Sequence, residues 1–168
     1  MQRAFWFSFI AAGAVYLTMI LWSLPFIASE AGGLVPFDMR PMGYDLDEAK
    51  AFVAGISERG RAFYLGTQHR LDLIYPALLA LALVLGLQLL YRRPWSSVLG
   101  VLALMGAASD FLENQFVTTL LLTPPAEIDS RLVGVASFWT MSKSITTTIC
   151  FAALLLGAGR LVWRRVVG

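Results

Sequence analysis

Asp72, Asp110, Glu113 and Lys143 each lie within or at the edge of a long apolar run. An ionisable side chain in hydrocarbon costs about 2.5–3.5 kcal/mol even on the most lenient insertion scale, so such groups turn toward neighbouring helices. Asp110, Glu113 and Asn114 stand at i, i+3 and i+4, which sets two carboxyls and an amide on one helical face. Thr140, Lys143 and Thr147 share a face in the same way. His69, Asp72 and Pro76 form a third stripe with Tyr75 beside it, and Pro76 leaves the carbonyl of Asp72 without its helical N–H partner.

Three carboxyls against one ammonium would carry a net charge of −2 if all were ionised. A low-dielectric site of that charge must share a proton among its acids or take up a cation. A neutral acid beside an ionised one is also what acid/base chemistry uses. The expected catalytic acids are Asp72 and Glu113, with Asp110 and Lys143 as the electrostatic floor of the site. Asn114 and Thr147 would orient a ligand, and His69 and Tyr75 would meet it at the mouth. Each group also has a plainer use. Asp110 with Lys143 could simply fix helix register, Asn114, Thr140 and Thr147 could hydrogen-bond between helices, and His69 could cap one.

The elements that must position these residues follow from composition. The chain has 168 residues, 58% hydrophobic and only 14% charged, against ~45–50% and ~25% in soluble domains. Four apolar stretches, at about 4–28, 71–91, 95–122 and 132–159, are each long enough for the ~20 residues a bilayer requires. The expected fold is all-α: one integral membrane four-helix bundle occupying residues 1–168. Ser29-Glu30-Ala31 would suit signal cleavage, yet the uncharged run before it is longer than the usual ~7–15-residue signal core, so it is read as a span. Arg3, Arg92, Arg93, Arg160, Arg164 and Arg165 gather on one side with no acid among them, whereas the other side mixes basic and acidic residues. By the positive-inside rule both termini are expected in the cytoplasm, in a bacterial inner membrane.

Thr123 and Arg131 mark the outer ends of the third and fourth spans. Asp110 lies 13 residues before the one and Lys143 lies 12 beyond the other, so at ~1.5 Å per residue both sit within about 20 Å of the outer end. That predicts an Asp110–Lys143 pair at the floor of a pocket descending from the outer face. The outer loop, about 29–70, contains Asp45 and Glu48 spaced as a capping box, followed by Leu46, Ala49, Phe52, Val53 and Ile56 on one helical face. A short amphipathic helix is expected there, lying on the surface or covering the mouth. Ser57 is placed to cap a further helix running through Phe63, Tyr64 and Leu65 into the second span.

Several chemistries are excluded. The single cysteine, Cys150, rules out paired-thiol oxidation, and the single histidine rules out a bis-histidine haem within the chain. There is no Walker loop, dinucleotide fingerprint or nucleophile elbow. His69, Asp72, Asp110 and Glu113 make a weak metal-ligand set, so neither a metal nor another cofactor is expected. A nucleic-acid partner is also not expected.

Gly43-Tyr44 with Glu48-Ala49, Gly60-Arg61 with Tyr64-Leu65, Asp72 with Pro76, Asp110 with Glu113-Asn114, and Lys143 together resemble an uncharacterised group of small four-helix bacterial inner-membrane proteins. That resemblance runs from Gly43 onward and implies the fold without an activity. In layout alone, the chain is similar to EXPERA-type sterol isomerases and sigma-2-like receptors, which also pair a short membrane bundle with buried acids; no catalytic residue carries over. Three functions fit these residues. The first is a polar pocket open to the outer side that binds an amphiphilic or cationic ligand in the bilayer, with acid/base chemistry on it. The second is a proton- or cation-coupled carrier acting as a homo-oligomer, and the third is a non-enzymatic assembly subunit.

Overall fold

The computed structural model describes residues 1–167, which are all-helical with no strand among them. Four helices are long and apolar enough to cross a membrane: α1 (Gln2–Glu30), α3 (Glu58–Leu90), α4 (Trp95–Leu122) and α5 (Ser130–Val167). A fifth, α2 (Leu46–Gly55), lies in the connection between α1 and α3. The chain leaves α1 through Gly32 and Gly33, whose φ values of 65° and 87° are open to residues without a Cβ. A 3₁₀ turn at Phe37–Met39 precedes α2, and another at Pro125–Glu127 joins α4 to α5.

Helical structure resumes at Glu58, as the Ser57 cap predicts, and runs on into the second span, so residues 58–70 of the outer loop form the first part of α3. Ser57 does cap the helix, its Oγ accepting from the Gly60 N–H at 3.0 Å. Arg59 and Arg61 end the hydropathic run without ending the helix, because each has a partner on a neighbouring segment. Arg59 pairs with Glu30 at 3.7 Å, and Arg61 donates to the Val53 carbonyl at 3.0 Å and to that of Leu121. The last helix also continues past 159, since Arg160 to Val167 contain no helix breaker. The capping box forms as expected, Glu48 N–H donating to Asp45 Oδ1 at 2.8 Å and Asp45 N–H to Glu48 Oε2 at 3.0 Å.

Two helices widen into π-turns, α1 over Met19–Ser23 and α3 over Tyr64–Gln68. In α1 the widening comes just before Pro25, which has no N–H for the carbonyl of Leu21. The two π-turns lie against each other and are joined by a hydrogen bond from Ser23 Oγ to Gln68 Oε1 at 2.6 Å. Such turns re-aim side chains and often occur at functional sites.

In packing, α3 is central, touching α1, α4 and α5, while α1 and α5 make no extensive contact with each other. Two apolar cores result. At the loop end, α2 and the 3₁₀ turn bury Phe37, Phe52, Ala49 and Val53 against Tyr64, Val117, Leu120 and Ala136. At the end bearing the termini, Leu79, Leu83, Leu87, Ala103, Cys150 and Leu154 form an aliphatic core. Gly86 allows that core to close: a Cβ there would stand 2.7 Å from Leu154 and 2.8 Å from Phe5. Along α3, α4 and α5 alike, the residues between the two cores are polar.

Candidate functional site

Lys143 organises that polar layer. Its Nζ forms an ion pair with Glu113 and lies 3.6 Å from Asp110 Oδ1 and 3.8 Å from Asp38 Oδ1. A lysine ammonium has three donors, and three carboxylates converge on it. All four side chains are shielded, from 15% exposed for Lys143 to 0% for Glu113. Glu113 Oε1 also accepts from Thr140 Oγ1 at 2.6 Å, which fixes the carboxylate between α4 and α5.

Asp38 lies in the outer loop, outside the four apolar stretches, yet the structure turns it inward. The 3₁₀ turn at Phe37–Met39 buries Phe37 completely and swings Asp38 over Lys143, where its Oδ2 accepts from the Tyr64 hydroxyl at 2.5 Å. Phe37 is held by Tyr44 and Phe52, with ring centroids 4.7 and 4.8 Å away. Tyr44 is anchored in turn by its N–H, which donates to Ser137 Oγ at 2.9 Å. Burial, and then the Glu113 carboxylate, hold the Tyr44 hydroxyl above its usual titration range, so it stays a neutral donor. The loop end of the layer is therefore roofed by aromatic packing.

Asp72 is 2% exposed and enters the layer from α3. Its Oδ1 accepts from Gln68 Nε2 at 3.0 Å, which continues the chain from Ser23 across the two π-turns. The Asp72 carbonyl, released by Pro76, lies 3.5 Å from Asn114 Nδ2, so the amide of α4 takes up what the proline left free. Asp72 Oδ2, Asn114 Oδ1 and the Tyr44 hydroxyl are buried without a hydrogen-bond partner. Asp38 Oδ1 and Glu113 Oε2 face only the ammonium. Three polar atoms, Asp72 Oδ2, Asn114 Oδ1 and the Tyr44 hydroxyl, thus keep spare hydrogen-bonding capacity in one layer.

Of the residues singled out on sequence, Asp110, Glu113 and Lys143 meet directly, and Asp72 with Asn114 adjoins them. His69 does not join the carboxylates. Its Nδ1 lies 3.0 Å from the Tyr64 carbonyl, and its Nε2 lies 2.7 Å from Thr118 Oγ1 and 3.1 Å from the Asn114 carbonyl. Both ring nitrogens are thus engaged, Nδ1 within α3 and Nε2 in joining α3 to α4. Tyr75 stacks on Tyr16 of α1 at 5.7 Å and, with Thr147, lines a lateral cleft rather than the layer itself. Gln68 was legible, being four residues before Asp72 on its face. Asp38 was not, because its contact spans a hundred residues of chain and no local spacing encodes it.

With the three carboxyls on Lys143 and that of Asp72 beside them against one ammonium, the layer would carry a net charge of −3 if fully ionised. It can hold and pass protons among hydrogen-bonded acids, or accept a cationic group. Among the described residues no group of three or more His, Cys, Asp or Glu is arranged to hold a metal ion. The chain is thus an all-helical protein with four helices suited to crossing a membrane and a buried acidic layer. In comparison with known proteins it matches no family model, no curated protein and no solved structure.

Proposed function

We propose that this is a multi-pass protein of a bacterial inner membrane, a four-helix bundle with both termini in the cytoplasm, whose acidic layer binds an amphiphilic ligand carrying positive charge. Glu113 and Asp72 exchange protons with the bound group, Asp110 and Lys143 set the local field, and Asn114 orients it. The observation that carries this reading is the excess of carboxyls over ammonium in one layer, with Asp72 Oδ2 and Asn114 Oδ1 buried and partnerless. Phe7, Leu21 and Leu155 are each more than 70% exposed on the outside of the helices, where lipid would cover them.

Dodecylamine binding to the full chain in neutral-lipid nanodiscs, measured by calorimetry, tests it. Saturable binding that weakens about tenfold or more in Glu113→Gln and in Asp72→Asn is expected. Equal binding by wild type and both variants, with all three folded, would sink the reading. Proton flux in liposomes that Glu113→Gln abolishes would instead favour a coupled carrier. For orientation, Val166→Cys and Met42→Cys in a Cys150→Ser background should react from the cytoplasmic and outer sides respectively with a membrane-impermeant maleimide.

A further inference from the structure

Phe37, Tyr44 and Phe52 pack over the acidic layer at its loop end, and the aliphatic core around Leu83 and Leu87 lies beneath it. A ligand leaving the lipid would therefore approach from the side. Because α1 and α5 both rest on α3 without packing on each other, a cleft remains between them. Its volume is about 470 Å³, and Phe9, Gly13 and Tyr16 of α1, Tyr75 of α3 and Phe151 of α5 line it. Small-molecule sites fall in this size range, ~300–1,000 Å³. Leu79 and Thr147 line both the cleft and an adjoining cavity of about 10 Å³, room for a single water until side chains move, whose lining also includes Pro76, Gly106 and Asp110.

We infer that the cleft between α1 and α5 is the tail site and lateral entrance for a single-chain amphiphile with a protonated amine head, which passes Leu79 and Thr147 to reach Asp110. This deepens the binding proposed above and rests on it. Two features select the occupant. The lining of the cleft is apolar and aromatic, which suits a hydrocarbon chain arriving from the lipid. The far end carries the carboxyl excess, so charge complementarity calls for a cation and disfavours a fatty acid. Thr147 supplies a hydroxyl at the junction, where the head must leave the lipid phase before it meets a carboxylate.

The test uses dodecylamine bearing a mid-chain diazirine, photolysed with the full chain in neutral-lipid nanodiscs, with the matching alcohol as control. Saturable labelling of the peptides containing Phe9 to Tyr16 and Phe151 is expected, competed by unlabelled dodecylamine and not by dodecanol. Gly13→Trp fills the cleft at a position where an added Cβ meets nothing within 4 Å. It should weaken amine binding by about tenfold or more, while Leu104→Trp on the outer face of α4 leaves it unchanged. If saturable labelling lands on residues 31–57, or Gly13→Trp binds like wild type, the lateral route is overturned and the acidic site stands. An equal loss in Leu104→Trp likewise overturns the route. No saturable amine binding by wild type overturns both.

Discussion

The two apolar cores on either side of the acidic layer are built differently. The loop-end core holds four aromatic side chains, draws on all five helices and the connections between them, and sends polar groups inward: Asp38 and the Tyr64 and Tyr44 hydroxyls all come from its side. The terminal-end core is aliphatic, made largely of residues on long helices, and sends nothing polar toward the layer. Buried charge is stable only next to structure that can donate to it or balance it. The layer therefore leans on the aromatic side, while the aliphatic side separates it from the arginines at the termini.

The largest test of this contrast is Lys143→Met, which strips the one cation from three carboxylates. A loss of about 3–5 kcal/mol is expected for breaking a buried ionic group by removing one partner, seen as a fall in thermal midpoint in detergent. An unchanged midpoint would mean that the layer is not one charge-balanced unit. Adding Glu113→Leu should recover only part of the loss, since Asp110 and Asp38 also face Nζ; full recovery would reduce the site to a single structural pair.

Leu87→Ala belongs to the other core and should cost about 2–5 kcal/mol through lost packing. Amine affinity, compared at a temperature where the variant is folded, should stay at the wild-type value; a parallel loss would show that the two cores are not separable. Asp38→Asn acts on the tie between roof and layer, at the Tyr64 hydroxyl and Lys143. It should cost about 1–3 kcal/mol and speed amide exchange over residues 36–44, leaving α4 and α5 protected as before. Uniformly faster exchange would mean that the roof and the helices open together. The smallest effect is expected for Arg164→Gln with Arg165→Gln, both exposed beyond the aliphatic core, with no measurable change in thermal midpoint. A clear fall would give the terminal end an electrostatic role that its core does not suggest.

Much of the site could be read from spacing. Asp110, Glu113 and Lys143 were recognisable because charge inside an apolar run is costly, and the i, i+3 rule put the two acids of α4 on one face. The Asp45 capping box and the Ser57 cap are equally local, each satisfied within four residues of chain. What resisted reading was any role decided across the fold. His69 looked like a ligand at the mouth, yet its nitrogens are taken up by Thr118 and two backbone carbonyls. Hydropathy began the second span at 71, because it counts Arg59, Arg61 and Arg70 as solvent groups and cannot see the carbonyls and carboxylate that hold the first two.

Sequence by itself determined the helices and the presence of buried charge, since both depend on short-range periodicity and on the cost of an ion in hydrocarbon. Only the tertiary structure decided which acids share Lys143 and that Asp38 turns in over the layer. Those outcomes depend on how the roof packs, with Asp38 lying 34 residues before Asp72 and 105 before Lys143. Aromatic packing is directional in space and leaves no period along the chain.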